Sequence, residues 1–186
     1  MGKPKQVLPV AEDAEDTLIE LALKTALKAR VDGVYCILGA NFKEIHPKVE
    51  KYSVEIIENK NWENGLGKSI AIGTAAILNK EPQTEGILVL LADQPWVDAL
   101  YLDKMISNFE DHPDALIASD YGGFYGVPAI FAKAYFEQLK GLEGDNGAKK
   151  LLNSRKMPII SVKSPEKLDD IDTLADYEQF LKEQNL

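Results

Sequence analysis

An uninterrupted apolar run at residues 86–92 constrains the fold of this chain most. It reads Gly-Ile-Leu-Val-Leu-Leu-Ala, without the polar alternation that a sheet face exposed to water would need. Such a run is typical of a central parallel strand covered by helices on both faces. Asp93 follows directly, and Pro95 prevents the strand from continuing because proline has no backbone N–H. The run therefore predicts an α/β fold with Asp93 at a strand end.

Helical and strand patterns alternate on both sides of this run. Apolar residues at helical spacing predict helices near residues 16–29, 68–78, 100–109, 134–139 and 147–152, and from residue 173 onward. Short apolar runs predict strands at residues 34–38, 54–57, 116–119, 129–131 and 159–162. We expect a three-layer, Rossmann-like, doubly wound and mostly parallel sheet that binds ligands at the carboxyl ends of its strands.

The length and the net charge of the chain limit the kinds of protein that it can be. A chain of 186 residues fits one compact domain, which we expect to span residues 1–186. The net charge of −9 argues against a nucleic-acid partner, because such binding needs a cationic face. We find no signal peptide and no apolar run long enough for a membrane helix, so we expect a cytoplasmic protein. Cys36 stands alone in an apolar run and is expected to be buried.

Carboxylates follow two of the predicted strands. Asp93 ends the central run, and Asp169, Asp170 and Asp172 follow the strand at residues 159–162. Two strand ends can present oxygen atoms to one crevice, and such hard ligands suit Mg²⁺ that also binds substrate phosphates. The alternative is that Asp93 caps a turn and that the acidic loop caps the last helix through Asp172 or Thr173.

Several separated motifs occur in an order found in a known family. They are Met1-Gly2-Lys3-Pro4-Lys5-Gln6, Asn61-Trp62-Glu63-Asn64-Gly65 with Ser69 and Gly73, Leu91-Ala92-Asp93-Gln94-Pro95, Tyr121-Gly122-Gly123-Phe124-Tyr125-Gly126-Val127-Pro128, Leu142-Glu143-Gly144-Asp145-Asn146-Gly147-Ala148 and Asp170-Ile171-Asp172-Thr173. Their order across nearly the whole chain resembles the cytidylyltransferase branch of the molybdenum cofactor nucleotidyltransferases. The Ala-Asp-Gln-Pro form resembles the cytidylyltransferases more than their guanylyltransferase relatives.

The resemblance implies an enzyme and a set of site residues. It implies Mg²⁺-dependent transfer of a nucleotide, with CTP preferred to GTP, to the phosphate of molybdopterin, with release of pyrophosphate. Lys5 would contact the triphosphate, and Asp93 and Asp172 would hold magnesium. The remaining nucleotide-binding residues would be Gly2, Asn61, Gly65 and Ser69. Gly126, Pro128, Asp145 and Gly147 would lie toward the pterin.

The sequence departs from the family pattern at its start. Family members begin with a hydrophobic strand and a Leu-Ala-Ala-Gly-x-Ser-x-Arg loop, whereas this sequence begins at the methionine that follows them. We therefore expect the first strand and the glycine-rich phosphate loop to be missing. Either the start has been assigned too late, or the chain is a truncated form with weak or no activity.

The sequence is also compatible with three other functions. The first is a guanylyltransferase of the same family. The second is a glycosyltransferase, since Asp170-Ile171-Asp172 imitates a D-x-D metal motif. The third is a non-catalytic binding protein for a molybdoenzyme or a partner in its maturation. A true P-loop is rejected, because Trp62 stands where the motif ending in Gly67-Lys68-Ser69 needs its first glycine.

Overall fold

The strands of the protein form two separate sheets. The computed structural model describes residues 4–11, 14–154, 158–164 and 167–184. One sheet pairs β1 (Tyr35–Leu38) with β2 (Glu55–Glu58) in parallel. The other has the order β3-β5-β4-β6, formed by Gly86–Val89, Tyr125–Ala132, Leu116–Asp120 and Ile159–Val162. Among the described residues, no strand pairs with the second edge of β1 or β3.

Helices connect and cover these strands. They are α1 (Leu18–Lys28), α2 (Phe42–Val49), α3 (Leu66–Lys80), α4 (Ala99–Asp111), α5 (Phe136–Lys140), α6 (Lys149–Leu152) and α7 (Leu174–Gln184). A short 3₁₀ turn at Lys5–Val7 precedes them. In the part of the chain that the structure covers, no helix is long and apolar enough to cross a membrane.

Two apolar layers confirm the predicted three-layer arrangement. Successive residues of a strand point to opposite faces of its sheet. On one face, Leu116 and Phe131 pack in a core cluster that α3 covers. On the other face, Ile117 packs in a second cluster with Leu102 and Met105 of α4. The second sheet is therefore a buried layer between α3 and α4.

Helix α3 also reaches the first sheet. It contacts β1, and a Cβ atom added at Gly73 would lie 3.0 Å from the Ile37 side chain. Glycine at this position lets the helix backbone approach the strand closely. The same helix presents Ile70 and Ile77 to the cluster of the second sheet. Helix α3 thus spans both sheets and fixes how β1 lies relative to β3.

The central run is shorter as a strand than its sequence predicted. Strand β3 ends at Val89, which pairs with Ala129 of the antiparallel strand β5. The next pair would use Pro128, which has no N–H to donate, so the ladder stops there. Strand β5 in turn begins at Tyr125, earlier than predicted, because residues 125–126 pair with the end of β4 beyond a register shift. Strand β5 runs opposite to β3, β4 and β6, which all point the same way.

Candidate active site

The turn that follows β3 is hydrogen-bonded to the acidic segment near the C-terminus. The amide of Ile171 donates a 2.9 Å hydrogen bond to the carbonyl oxygen of Asp93. Ile171 is fully buried, which anchors the segment from its apolar side. Asp170 and Asp172 flank this anchor and therefore lie beside Asp93. The segments that follow β3 and β6 therefore bring these carboxylates together, although β3 already stops at Val89 and Asp93 lies in the turn beyond it, not directly at the strand end.

Lys5 joins the two carboxylates that were predicted to hold a metal. Its Nζ lies 2.6 Å from Asp93 Oδ2 and 2.9 Å from Asp172 Oδ1. Burial by itself would lower the pKa of Lys5, but the hydrogen bonds and negative charges of Asp172 and Asp93 outweigh that effect and raise the pKa. The three residues predicted as catalytic therefore form one charged cluster, with the ammonium group between the carboxylates.

The Gln94 side chain holds Asp170 and Tyr121 in place beside this cluster, a role that the sequence did not reveal. Its side-chain amide nitrogen lies 2.9 Å from Asp170 Oδ1 and 2.9 Å from the Tyr121 hydroxyl. Burial, followed by the negative charge of Asp93, raises the pKa of Asp170. Burial also raises the pKa of Tyr121, so this hydroxyl stays neutral at physiological pH. The only sequence signal was the position of Gln94 directly after Asp93.

The carboxylates fit a divalent cation that is shared with phosphate. Asp93 Oδ1 is buried and has no hydrogen-bond partner in the described ranges. An orphaned carboxylate oxygen of this kind is unfavourable unless a cation or water satisfies it. Over the same residues, no group of three or more His, Cys, Asp or Glu side chains could enclose a metal ion. Mg²⁺ needs no such cage, because it commonly takes one or two carboxylates together with substrate phosphates.

A second set of predicted residues surrounds the start of α3. Asn59, which follows β2, is almost fully buried and donates from Nδ2 to Ser69 Oγ at 2.9 Å. Its Oδ1 accepts a 2.9 Å hydrogen bond from the Asn61 amide. Asn61 and Ser69 were predicted as nucleotide-binding residues, whereas Asn59, which links them, was not included among those residues. Applying the strand-end rule to β2 as well as β3 would have found it.

Two loops close against each other at Gly65. This residue has φ +85°, and an added Cβ would lie 2.3 Å from the carbonyl carbon of Gly144. The Gly67 amide donates to the Gly144 carbonyl at 2.8 Å, and the Gly144 amide donates to the Asn64 carbonyl at 2.9 Å. The requirement for glycine at position 65 is therefore conformational as well as steric.

The residues assigned to the pterin side fall into two places. An Asp145 oxygen would lie 2.6 Å from a Cβ at Gly65, and a Cβ at Gly147 would lie 2.9 Å from the Leu66 side chain. Gly126 and Pro128 lie on β5, and a Cβ at Gly126 would meet the Tyr121 ring at 2.7 Å. Asp145 and Gly147 thus adjoin the α3 loop, and Gly126 adjoins Tyr121. Gly2 lies outside the described residues.

Cys36 is buried in β1, as predicted, and 8% of its surface is exposed. Burial raises the pKa of its thiol to about 11. The reactive thiolate is therefore scarce at neutral pH, and the residue packs as a small apolar side chain.

Comparison with known proteins identifies the family to which this chain belongs. The family described as the MobA-like NTP transferase domain matches residues 1–159. The purine catabolism protein PucB of Bacillus subtilis is 29% identical over 191 aligned residues, which span 96% of this chain and 88% of PucB.

Solved structures from Mycobacterium tuberculosis share the fold. The crystal structure of Rv0371c has a TM-score of 0.84 and 26% identity, over 98% of this chain and 90% of that one. A crystal structure of Rv0371c in complex with manganese has a TM-score of 0.81 and 26% identity, over 97% and 93% of the two chains.

Proposed function

The chain belongs to the MobA-like NTP transferase family, and on this premise we propose that it transfers CMP from CTP to the phosphate of a molybdenum cofactor pterin. The observation that carries the proposal is the meeting of Lys5, Asp93 and Asp172 at the end of β3. These residues combine a positive charge with hard oxygen ligands, and nucleotidyl transfer needs such groups to neutralise the charge of the triphosphate. As a nucleotidyltransferase, the enzyme needs no covalent intermediate on a side chain.

The reaction is an in-line displacement at phosphorus. A phosphate oxygen of the acceptor attacks the α-phosphorus of the nucleoside triphosphate and forms a new P–O bond. The bond from that phosphorus to the bridging oxygen breaks, and pyrophosphate leaves with the electron pair. Asp93 and Asp172 would hold Mg²⁺, which supplies charge neutralisation on the phosphates when bound. Lys5 neutralises the charge that grows on the leaving pyrophosphate.

The loop before α3 supports the nucleotide side of the proposal. Asn59 fixes both the Asn61 backbone and the Ser69 hydroxyl, so the loop is organised before a ligand arrives. Helix α3 begins at Leu66, and the Gly67 and Lys68 amides of its first turn donate to the Gly144 and Gly65 carbonyls. The positive end of the helix dipole, rather than these two N–H groups, would favour a phosphate here. Residues 143–145 pack against this loop and would line the nucleotide site on a second side.

The choice of CTP rests on the resemblance of Ala92-Asp93-Gln94-Pro95 to the cytidylyltransferases. The manganese bound by the Rv0371c structure supports a divalent cation in this proposal. PucB carries a name from purine catabolism, and that name does not decide the nucleotide used here. Guanylyl transfer is therefore the outcome against which the CTP assignment is tested.

The test is a calorimetric titration of CTP and of GTP in the presence of Mg²⁺, followed by measurement of pyrophosphate release with molybdopterin as acceptor. We expect Mg²⁺-dependent binding with CTP preferred, and pyrophosphate release only when the acceptor is present. A preference for GTP would reassign the base while keeping the chemistry. Acceptor or nucleotide binding without pyrophosphate release would favour the non-catalytic role, and no nucleotide binding would overturn the proposal.

A further inference from the structure

The ammonium group of Lys5 occupies a position that a metal ion would also need. Its Nζ contacts one oxygen of Asp93 at 2.6 Å and one of Asp172 at 2.9 Å. We infer that Lys5 is the internal counter-ion of the metal-free site, and that it leaves these carboxylates when a divalent cation binds. The inference rests on the proposed function, since it takes Asp93 and Asp172 as the cation's ligands.

The geometry makes simultaneous occupancy unfavourable. Mg²⁺ lies about 2.1 Å from its oxygen ligands. A cation bound to Asp172 Oδ1, which Lys5 contacts at 2.9 Å, would therefore lie no more than about 5 Å from Nζ, even if it uses the free Oδ1 of Asp93. Like charges at this separation repel, and both would draw on the Asp172 oxygen and on the Asp93 carboxylate. The ammonium group and the metal ion are therefore competitors for one position.

The surroundings of Lys5 allow the side chain to move while its backbone stays in place. The backbone is held in a 3₁₀ turn, in which the Val7 amide donates to the Pro4 carbonyl and the Leu8 amide donates to the Lys5 carbonyl. The Leu18 amide donates in turn to the Leu8 carbonyl, which ties this turn to α1. The Lys5 side chain is 25% exposed, and the Asp172 side chain is 70% exposed, so the bridge opens toward solvent.

The released lysine then has a defined use. Mg²⁺ commonly shares its coordination with substrate phosphates, which would place new negative charge beside the site. Rotation of the flexible lysine side chain can exchange the carboxylates for those phosphates. Lys5 would thus neutralise Asp93 and Asp172 before the cation binds, and would contact triphosphate only after the cation is in place. A purely structural salt bridge predicts no such exchange.

The exchange has a signature that a structural bridge lacks. Lys5→Met should strengthen the binding of the bare cation, because it removes a competitor, and should weaken the binding of triphosphate, because it removes a partner. Loss of a lysine that stays on the carboxylates would also remove a charge that repels the cation, but it would leave triphosphate binding unchanged because that lysine never contacts the phosphates. The two accounts therefore differ in whether triphosphate binding weakens while metal binding strengthens.

The experiment measures Mn²⁺ binding at fixed pH without nucleotide, from the electron paramagnetic resonance signal of free Mn²⁺. The proteins are the wild type, Lys5→Met, Lys5→Gln and the control Lys80→Met. Lys80 pairs with Glu55 on the surface, so the control removes one positive charge and one ion pair away from the site. Circular dichroism and thermal melting establish that each variant is folded.

We expect both Lys5 variants to bind Mn²⁺ at least about fivefold more tightly than the wild type does. This factor corresponds to the loss of one competing ion pair. Lys80→Met should match the wild type. The Lys5 variants should also bind CTP with Mg²⁺ more weakly. Unchanged or weaker Mn²⁺ binding by folded Lys5 variants would overturn the inference while the nucleotidyltransferase function stands. If the wild type bound neither Mn²⁺ nor nucleotide, both the inference and the nucleotidyltransferase function would be overturned.

Discussion

The amide of Ile171 donates a 2.9 Å hydrogen bond to the carbonyl oxygen of Asp93, and this bond joins the end of β3 to a segment close to the C-terminus. The bond uses only backbone atoms, so it fixes position without consuming either neighbouring carboxylate. It explains how Asp172 comes to share a lysine with Asp93. Side-chain substitutions at Asp93 or Asp172 can therefore test chemistry while the backbone connection is retained.

Replacing Asp93 with Asn should weaken Mg²⁺-dependent CTP binding by at least about tenfold, or about 1.4 kcal/mol. The amide has nearly the same shape but lacks the negative charge that attracts both Lys5 and a cation. Calorimetric titration measures the affinity, and thermal melting measures stability. Asp103→Asn, which removes a carboxylate paired with Arg30, serves as the control. Unchanged CTP affinity with reduced stability would support a capping role for Asp93 instead.

Replacing Gly65 with Ala should destabilise the protein by about 1–3 kcal/mol and reduce nucleotide affinity. The backbone there has φ +85°, and the new Cβ would lie 2.3 Å from Gly144. Gly123→Ala is the matched control, because a Cβ there meets no atom within 4 Å and needs no left-handed backbone. Urea unfolding measures the difference. Equal stability of the two variants would show that the loop adapts without cost.

Replacing Gln94 with Leu should lower the free energy of unfolding by about 1–3 kcal/mol. The variant removes the amide that donates toward Asp170 and Tyr121 in a buried setting, and leaves those groups without that partner. Urea unfolding at neutral pH provides the measurement. A variant as stable as the wild type would indicate that water replaces the amide without cost.

Asp170 should make stability depend on pH. Folding raises the pKa of Asp170, through burial first and then through the charge of Asp93, so the folded state holds the proton more tightly than the unfolded state. The contribution of Asp170 to stability is therefore greatest at low pH and is lost as pH rises through the raised pKa. Asp170→Asn, which cannot ionise, removes this contribution.

The measurement is urea unfolding of the wild type and Asp170→Asn between about pH 4 and 7, in metal-free buffer. The stability of the variant relative to the wild type should increase as pH rises across this range. Asp111→Asn at the end of α4 provides an exposed comparison. A constant difference between the wild type and Asp170→Asn would contradict the raised pKa.

Local patterns predicted the elements because they depend on neighbours in sequence. The apolar run located β3 but predicted Asp93 directly at its end, whereas Asp93 lies in the turn that follows; apolar spacing located α1, α3 and α4. The α/β fold and the nucleotidyltransferase family were both predicted and are confirmed. The length of β3 was overestimated, because its end is set by the facing Pro128 on another strand. Such a limit is invisible in the run itself.

The site was less accessible to prediction than the fold. The sequence identified Lys5, Asp93 and Asp172, but the ion pair of Lys5 with Asp172 joins positions separated by 167 residues and depends on the assembled sheet. The roles of Asn59 and Gln94 depend on amide hydrogen bonds, which leave no periodic pattern. The metal, nucleotide and pterin assignments remain predictions for the experiments above.

The division into two sheets gives the strands unequal protection from solvent exchange. Strand β4 has hydrogen-bonded neighbours on both sides, whereas β1 and β3 each have one paired edge among the described residues. Amides on a paired edge exchange with deuterium only when the ladder opens, whereas amides on the free edge lack that barrier. Alternate amides of β1 and β3 should therefore exchange early, while β4 should remain protonated until the chain unfolds as a whole.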